Sequence, residues 1–133
     1  MAGETSLPRL IKSMKPLLHD GEYVFCTFSE NESPDIKDAV CLFREAEGLS
    51  VIMDKKTADE KNIPYTFIAS WITLMVHSSL EAVGLTAAVS KALAGKNIPC
   101  NVVAGFYHDH IFVARRDTER AMRALCGMGT GTI

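Results

Sequence analysis

The segment 104–114, AGFYHDHIFVA, sets two histidines and an aspartate within an otherwise apolar, strand-like run. His108 and His110 are two residues apart, so on a strand both imidazoles would face the same side. With His77 as a third ligand, the pair could bind a metal. Asp109 could instead bond its own backbone in a turn, or the triplet could line a ligand pocket or an interface. The residues alone leave these alternatives open.

Other reactive side chains lack the partners that catalysis requires. Ser78 and Ser79 do not belong to a G-x-S-x-G elbow, and capping of a helix start explains them more simply. We find no convincing acid–base pair, so a non-catalytic protein is expected. The cysteines are scattered, without a CxxC pair, which indicates reduced thiols in a cytoplasmic protein. They are Cys26, Cys41, Cys100 and Cys126.

Charge and hydropathy exclude several classes of partner. The 133 residues carry a formal net charge of −2. The small basic group near the C-terminus has no interleaved aromatic residues, so a solvated face is favoured over nucleic-acid binding. The longest apolar run, residues 67–76, is too short for a membrane span, and the N-terminus lacks the apolar core of a signal peptide. We therefore expect no nucleic-acid partner and no membrane partner.

In the first half of the chain, the sequence pattern predicts a helix followed by strands. A helix is predicted from the spacing of its apolar residues; Pro16 should bend or end it, and Gly21 should close it. Its apolar residues are Leu7, Leu10, Ile11, Met14 and Leu18. Strands are predicted over residues 22–28, 38–45 and 48–54, and a short helix over 55–61. This half therefore reads α-β-β-β-α.

The second half predicts a β-α-β-β-α order. Residues 65–78, YTFIASWITLMVHS, form the strongest predicted strand, and both of its faces are largely apolar, so both should be covered. An amphipathic helix follows and ends at Gly95. Strands over residues 100–106 and 110–114 and a last helix after Asp117 complete this half. Neither half completes a βαββαβ unit, yet together they hold the parts for two.

Residues 77–113, HSSLEAVGLTAAVSKALAGKNIPCNVVAGFYHDHIFV, resemble an ACT-type domain. More specifically, they resemble the small bacterial proteins that have two tandem ACT-like units and no catalytic domain. The segment CLFREAEGLSVIMD resembles the first unit of that group, and the similarity covers nearly the whole chain. The resemblance implies an α+β fold with two tandem ferredoxin-like units of the βαββαβ type, with antiparallel sheets and helices on one face. We expect the first, divergent unit at residues 1–64 and the second at residues 65–133.

The resemblance also implies a ligand site. In ACT domains the loop between the first strand and the first helix, usually with a glycine, binds small ligands, often amino acids. Here that loop is residues 77–85. Free N–H groups at a helix start attract a carboxylate, while Glu81 or Asp109 would receive an ammonium group. The residues expected to bind the ligand are His77, Ser78, Ser79, Glu81, Val83, Gly84, Leu85, Tyr107, His108, Asp109 and His110.

These observations lead us to expect a regulatory or sensor protein whose small-molecule ligand is an amino acid. No cofactor and no metal are expected. Because a strand that is apolar on both faces needs two covers, we also expect a homodimer. Two alternatives stay open: a structural or interaction module without a ligand, and a metal-dependent enzyme that uses His77, His108 and His110.

Overall fold

The computed structural model describes residues 6–76 and 83–128, and these residues form four helices and seven strands. The helices are α1 (Leu7–Ser13), α2 (Lys55–Glu60), α3 (Leu85–Ala94) and α4 (Thr118–Met128). The strands are β1 (Lys15–Leu18), β2 (Tyr23–Phe28), β3 (Ala39–Glu45), β4 (Gly48–Asp54), β5 (Ile68–Met75), β6 (Asn101–Ala104) and β7 (Asp109–Ala114). Within the described ranges, no helix has the length and apolar character that a membrane crossing requires.

The chain divides into two compact units. Residues 20–70 form the inserted unit, which the rest of the chain flanks on both sides. The split unit consists, among the described residues, of 6–19, 71–76 and 83–128. Strand β5 contributes to both, because its residues up to Ser70 belong to the inserted unit and those from Trp71 onward to the split unit.

The inserted unit has the strand order of a ferredoxin-like fold. Strand β2 pairs antiparallel with β4, β4 pairs with β3, and the start of β5 pairs with β2. Alternate residues of β2 and β4 point inward because side chains on a strand alternate between its faces. They bury Val24, Cys26, Val51 and Met53 beneath Ala58 of α2. The unit thus holds four strands and the second helix of a βαββαβ fold, whereas residues 29–38 contain only a 3-10 turn where the first helix would lie.

The split unit completes its fold with a strand from the beginning of the chain. Its strand order is β1-β5-β7-β6, with α3 and α4 as the two helices. Strand β1 pairs antiparallel with β5, from Lys15 opposite Met75 to Leu18 opposite Ile72. Strand β1 therefore takes the position of the last strand in the βαββαβ order, although it comes first in sequence. Both units accordingly have the α+β, ferredoxin-like architecture that the sequence predicted.

The N-terminal helix is shorter than the sequence predicted. Helix α1 ends at Ser13, and Lys15–Leu18 form a strand rather than the last turn of the helix. Lys15 precedes Pro16, and the proline ring disfavours helical geometry in the residue before it. Pairing with β5 then supplies backbone partners that a continued helix would have supplied locally.

The division into units differs from the predicted boundary between residues 64 and 65. Residues 6–19 pack with the split unit, since Leu10 and Met14 are buried in the same apolar cluster as Leu85 and Val89 of α3. At the other boundary, Ile68 packs on the apolar cluster of the inserted unit. The sequence division follows chain order, whereas the packing joins two segments that are distant in the chain.

Replacing Leu10 with alanine tests whether α1 belongs to the core of the split unit. Leu10 is fully buried, so Leu10→Ala should lower the free energy of unfolding by about 2–5 kcal/mol, the range for a buried leucine. Lys12→Ala is the control, because Lys12 is an exposed residue of the same helix and its substitution should change the free energy of unfolding by about 0.5 kcal/mol at most. Urea unfolding followed by circular dichroism measures both. Equal small losses in the two variants would contradict this packing.

Candidate functional site

The histidine triplet lies where a tight turn enters β7. The turn spans Gly105–His108, and the Gly105 N–H donates to the His108 carbonyl at 2.9 Å. A Cβ at position 105 would lie 2.9 Å from that carbonyl oxygen and 3.3 Å from Nε2 of His110. Glycine is therefore required because both the turn and an imidazole occupy the space of a side chain. His108 ends the turn, and Asp109 and His110 begin β7.

His110 belongs to a hydrogen-bonded cluster of four side chains within the split unit. Nε1 of Trp71 donates to Nδ1 of His110 at 3.1 Å. The hydroxyl of Thr73 lies 2.9 Å from the same Nδ1 and 2.7 Å from Nε2 of His19. We call His19, Trp71, Thr73 and His110 the imidazole–indole cluster. It joins the residue after β1 to neighbouring strands β5 and β7.

The donor and acceptor roles in this cluster follow from the indole. An indole N–H can only donate, so Nδ1 of His110 must accept and the imidazole must be neutral, with its proton on Nε2. If the Thr73 hydroxyl donated to His19, two acceptors would face each other at His110. The hydroxyl therefore also donates to Nδ1 of His110, whose one lone pair accepts both hydrogens in a three-centre bond, and it accepts from Nε2 of His19. Each of the three contacts (Trp71–His110, Thr73–His110 and Thr73–His19) then has one donor and one acceptor.

Ring stacking fixes the same cluster on the sheet. His19 stacks on Trp71 with ring centroids 3.6 Å apart and an interplanar angle of 13°. Trp71 also stacks on Phe112 of β7 at 6.2 Å. Trp71 and Thr73 alternate along β5 with Ile72 and Leu74, which lie in the apolar core. The cluster is therefore on the face of β5 opposite to that core.

Burial favours the uncharged form of His110. It lowers the pKa of His110 below the usual value of 6.5, and the positive charges of His108 and His19 lower this pKa further. Both the direction of the pKa change and the donated indole proton favour the neutral imidazole.

His108 and Asp109 lie at the same end of β7 but have different environments. Nδ1 of His108 lies 3.2 Å from the carbonyl of Val76, so this nitrogen carries the proton. Asp109 is buried, with 8% of its surface exposed. Burial raises the pKa of Asp109 above its usual 3.8, and the charge of His108 lowers it in part. The carboxylate is thus poorly compensated by its surroundings, which favours a cationic partner.

The start of α3 carries the glycine expected from the sequence. Gly84 has a φ of +104°, a conformation that other residues rarely adopt, and its carbonyl accepts the first helical hydrogen bond from Ala88. A Cβ here would lie 3.0 Å from a methyl carbon of Leu7. The glycine therefore serves the backbone conformation and the packing of α1. The first N–H groups of α3 have no partner within the helix, as at any helix start.

The structure places the expected site residues in different environments. His108 contacts Val76 at the end of β5, and Gly84 and Leu85 begin α3, whereas His77, Ser78, Ser79 and Glu81 lie outside the described residues. Leu85 is 3% exposed, so its side chain belongs to the core and only its backbone N–H is suited to a ligand. Val83 is exposed. Tyr107 is exposed at the tip of the turn, where it meets Phe106 edge to face at 5.0 Å.

The described histidines do not form a metal site. Among residues 6–76 and 83–128, no three histidine, cysteine, aspartate or glutamate side chains converge as metal ligands would. His110 uses Nδ1 to accept from Trp71, and His108 uses its own Nδ1 to contact Val76. His108 and His110 are two positions apart, as neighbours on one face of a strand would be. They nevertheless bind different partners, because His108 belongs to the turn rather than to the strand.

The sequence did not reveal the partners of His110. Trp71 and Thr73 are two positions apart on the predicted strand, so their side chains lie on the same face. This spacing was the sequence signal for an indole and a hydroxyl side by side. His19 is 54 residues from Thr73 in the chain. It joins them because β1 pairs with β5, which no local pattern indicated.

Comparison with known proteins gives a consistent result. A family model described as an ACT domain matches residues 2–70, and a second model with the same description matches residues 67–127. A search of curated protein sequences found no match.

Solved structures with a similar fold cover most of the chain. A protein of unknown function from Vibrio cholerae, described as a possible transport protein, has 41% identity and a TM-score of 0.80. The match covers 94% of this chain and 97% of that protein. The ligand-free regulatory subunit of aspartate kinase from Thermus thermophilus has 10% identity and a TM-score of 0.60. That match covers 85% of this chain and 95% of the subunit, and at this identity it shows the fold alone.

The stability of the protein should fall when the pH drops below 6.5. Because the pKa of His110 is lower in the folded state, the unfolded chain binds this proton first as the pH falls. The free energy of unfolding is therefore fully retained above pH 6.5, decreases below it, and levels off once folded His110 is protonated. Asp109 acts oppositely: its raised pKa lowers stability as the pH rises above 3.8.

Urea unfolding between pH 5 and 7.5 measures the decrease that His110 causes. His110→Gln should reduce the slope because glutamine does not titrate. His108→Gln keeps the contact between Trp71 and His110 but removes one of the charges that lower the pKa of His110, so it should reduce the slope less than His110→Gln does. The interpretation is wrong if wild type and His110→Gln differ by the same free energy at every pH.

Proposed function

Because the chain belongs to the ACT-domain family, we propose that it is a regulatory protein whose small-molecule ligand is an amino acid. The observation that carries this proposal is the pair of ACT-domain matches, which together extend over residues 2–127. The fold similarity to a regulatory subunit of aspartate kinase supports a regulatory role. A non-catalytic protein is proposed on the same ground.

The groups at the start of α3 and the start of β7 in the split unit suit a zwitterionic ligand. The N-terminus of α3 offers backbone N–H groups and a partial positive charge, which favour a carboxylate. Asp109 offers a buried carboxylate whose raised pKa reflects poor compensation, and an ammonium group would supply the missing charge. His108, Tyr107 and Val83 are proposed to contact the rest of the ligand, together with His77, Ser78, Ser79 and Glu81. No metal is required in this arrangement.

Reduced thiols support a cytoplasmic location. All four cysteines are free, and three of them, Cys26, Cys41 and Cys100, have a pKa raised by burial, which favours the unreactive thiol form. Such unpaired cysteines are typical of a reducing compartment.

A thermal-shift screen against the twenty amino acids, with and without divalent metals, tests the proposed ligand. A specific ligand raises the apparent stability by RT ln(1 + [L]/Kd), about 2.7 kcal/mol at a hundredfold excess over Kd. We expect one amino acid or one chemically related group to act without added metal. Stabilisation that appears only with zinc would contradict the proposal.

Asp109→Asn should weaken amino-acid binding by about 1.5–3 kcal/mol, the range for a hydrogen bond to a charged group. Asn keeps the size of the side chain and removes its charge. Asp117→Asn is a matched control, because Asp117 is also buried and follows the opposite end of β7, where it binds Arg120. Isothermal titration measures both affinities. Equal weakening in the two variants would mean that Asp109 acts through stability rather than through the ligand.

A homodimer is proposed from the exposed apolar side chains on the split unit. Leu17 of β1 and Met75 of β5 are 47% and 41% exposed on the same face as Thr73. Sedimentation equilibrium in the micromolar range should give twice the chain mass, and Leu17→Lys should reduce it to the monomer value. Phe43→Lys is the control, since Phe43 is an exposed residue of the inserted unit. A wild-type protein that stays monomeric would contradict the proposal.

A further inference from the structure

The inserted unit contains a cavity at the position of its missing helix. In the βαββαβ order a helix would connect β2 to β3 and cover the adjoining face of the sheet. Here residues 29–38 make that connection with a single 3-10 turn, Ile36–Asp38. A cavity of about 270 Å³ lies beneath this segment, beside the C-terminal end of α2.

The floor of the cavity is apolar. It is formed by Val51 and Met53 of β4, which are each 2% exposed, and by the half-buried side chains of Phe28 and Ile63. These four residues belong to the apolar cluster of the inserted unit. A ligand that fills the cavity would therefore gain contact with hydrocarbon surface, as a packed helix would.

The rim of the cavity carries two carboxylates and one ammonium group. Lys61, at the end of α2, forms an ion pair with Asp38 of the 3-10 turn. Asp35 caps the same turn, and its Oδ1 accepts the N–H of Lys37 at 3.0 Å. Asp38 thus already holds the ammonium end of an alkyl chain, and Asp35 adds a second negative charge beside it.

We propose that this cavity binds a small primary aliphatic amine. Lys61 offsets one of the two carboxylate charges, so the rim keeps a net negative charge; the ammonium group lies beside Asp35, and the alkyl chain lies on Val51 and Met53. An amino acid fits less well, because its carboxylate would approach the two aspartates and Lys61 is already paired with Asp38. The proposal does not depend on the amino-acid site, which belongs to the other unit.

Titration of the ¹⁵N-labelled full chain with n-pentylammonium chloride tests the proposal. We expect saturable shifts in the amide signals of residues 33–38 and 61–63. n-Pentanol has the same chain without the charge, and L-norleucine adds a carboxylate. The affinity for each should be lower by about tenfold or more. Pentanol cannot form an ion pair with the aspartates, and the carboxylate of norleucine is repelled by them.

Two variants separate the charges from the fold. Asp35→Asn with Asp38→Asn should weaken pentylammonium binding about tenfold or more, since asparagine still caps the turn but carries no charge. Asp59→Asn is the matched control: Asp59 pairs with Lys55 at 3.0 Å in the same unit and does not line the cavity, so affinity should change by about twofold at most.

Three results would overturn the proposal. They are the absence of saturable shifts around the cavity, equal affinity for pentanol or norleucine, and undiminished affinity in the double variant. Unchanged amide dispersion outside residues 33–38 and 61–63 verifies that each variant is folded. Since all these signals come from the inserted unit, the outcome is separate from that of an amino-acid screen.

Discussion

The antiparallel pairing of β1 with β5 is the interaction on which the split unit depends. Without it, β5, α3, β6, β7 and α4 would form a βαββα unit with an unpaired edge on β5. The strand that closes this edge comes from residues 15–18, before the inserted unit begins. The order of the chain follows from this: a four-stranded ferredoxin-like unit that lacks its first helix lies inside the sequence of another unit, and β5 supplies strand residues to both.

The same pairing assembles the imidazole–indole cluster. The N–H of His19 donates to the carbonyl of Trp71 at 3.0 Å, which extends the β1–β5 pairing by one residue and brings the two rings into contact. Thr73 then links the two imidazoles. Because indole can only donate, the direction of each of these hydrogen bonds follows, and the imidazole of His110 lies beside Gly105 of the turn. The conformation of the proposed ligand edge thus depends on residues from three strands.

Local patterns in the sequence predicted much of the fold. The helical spacing of apolar residues predicted α3, which buries Leu85, Val89 and Leu93, and residues 65–78 correctly stood out as the strongest strand. What local patterns missed is long-range. Lys15–Leu18 continue the helical spacing of α1, and only the pairing with β5 makes them a strand. The family resemblance gave Gly84 its position, while the contact with Leu7 that also requires glycine depends on the packing of α1.

The separation of β1 from its partner also has a consequence for the order of folding. Strands β2, β3 and β4 follow one another in sequence, so their pairing closes shorter loops than the pairing of β1 with β5 and is faster. Strand β1 must wait until β5 has been synthesised, because His19 and Thr73 are 54 residues apart. During translation β1 therefore waits for β5 while β2, β3 and β4 can already pair. Their pairing then shortens the effective loop between β1 and β5. Early structure in the middle of the chain thus speeds the pairing of these two strands.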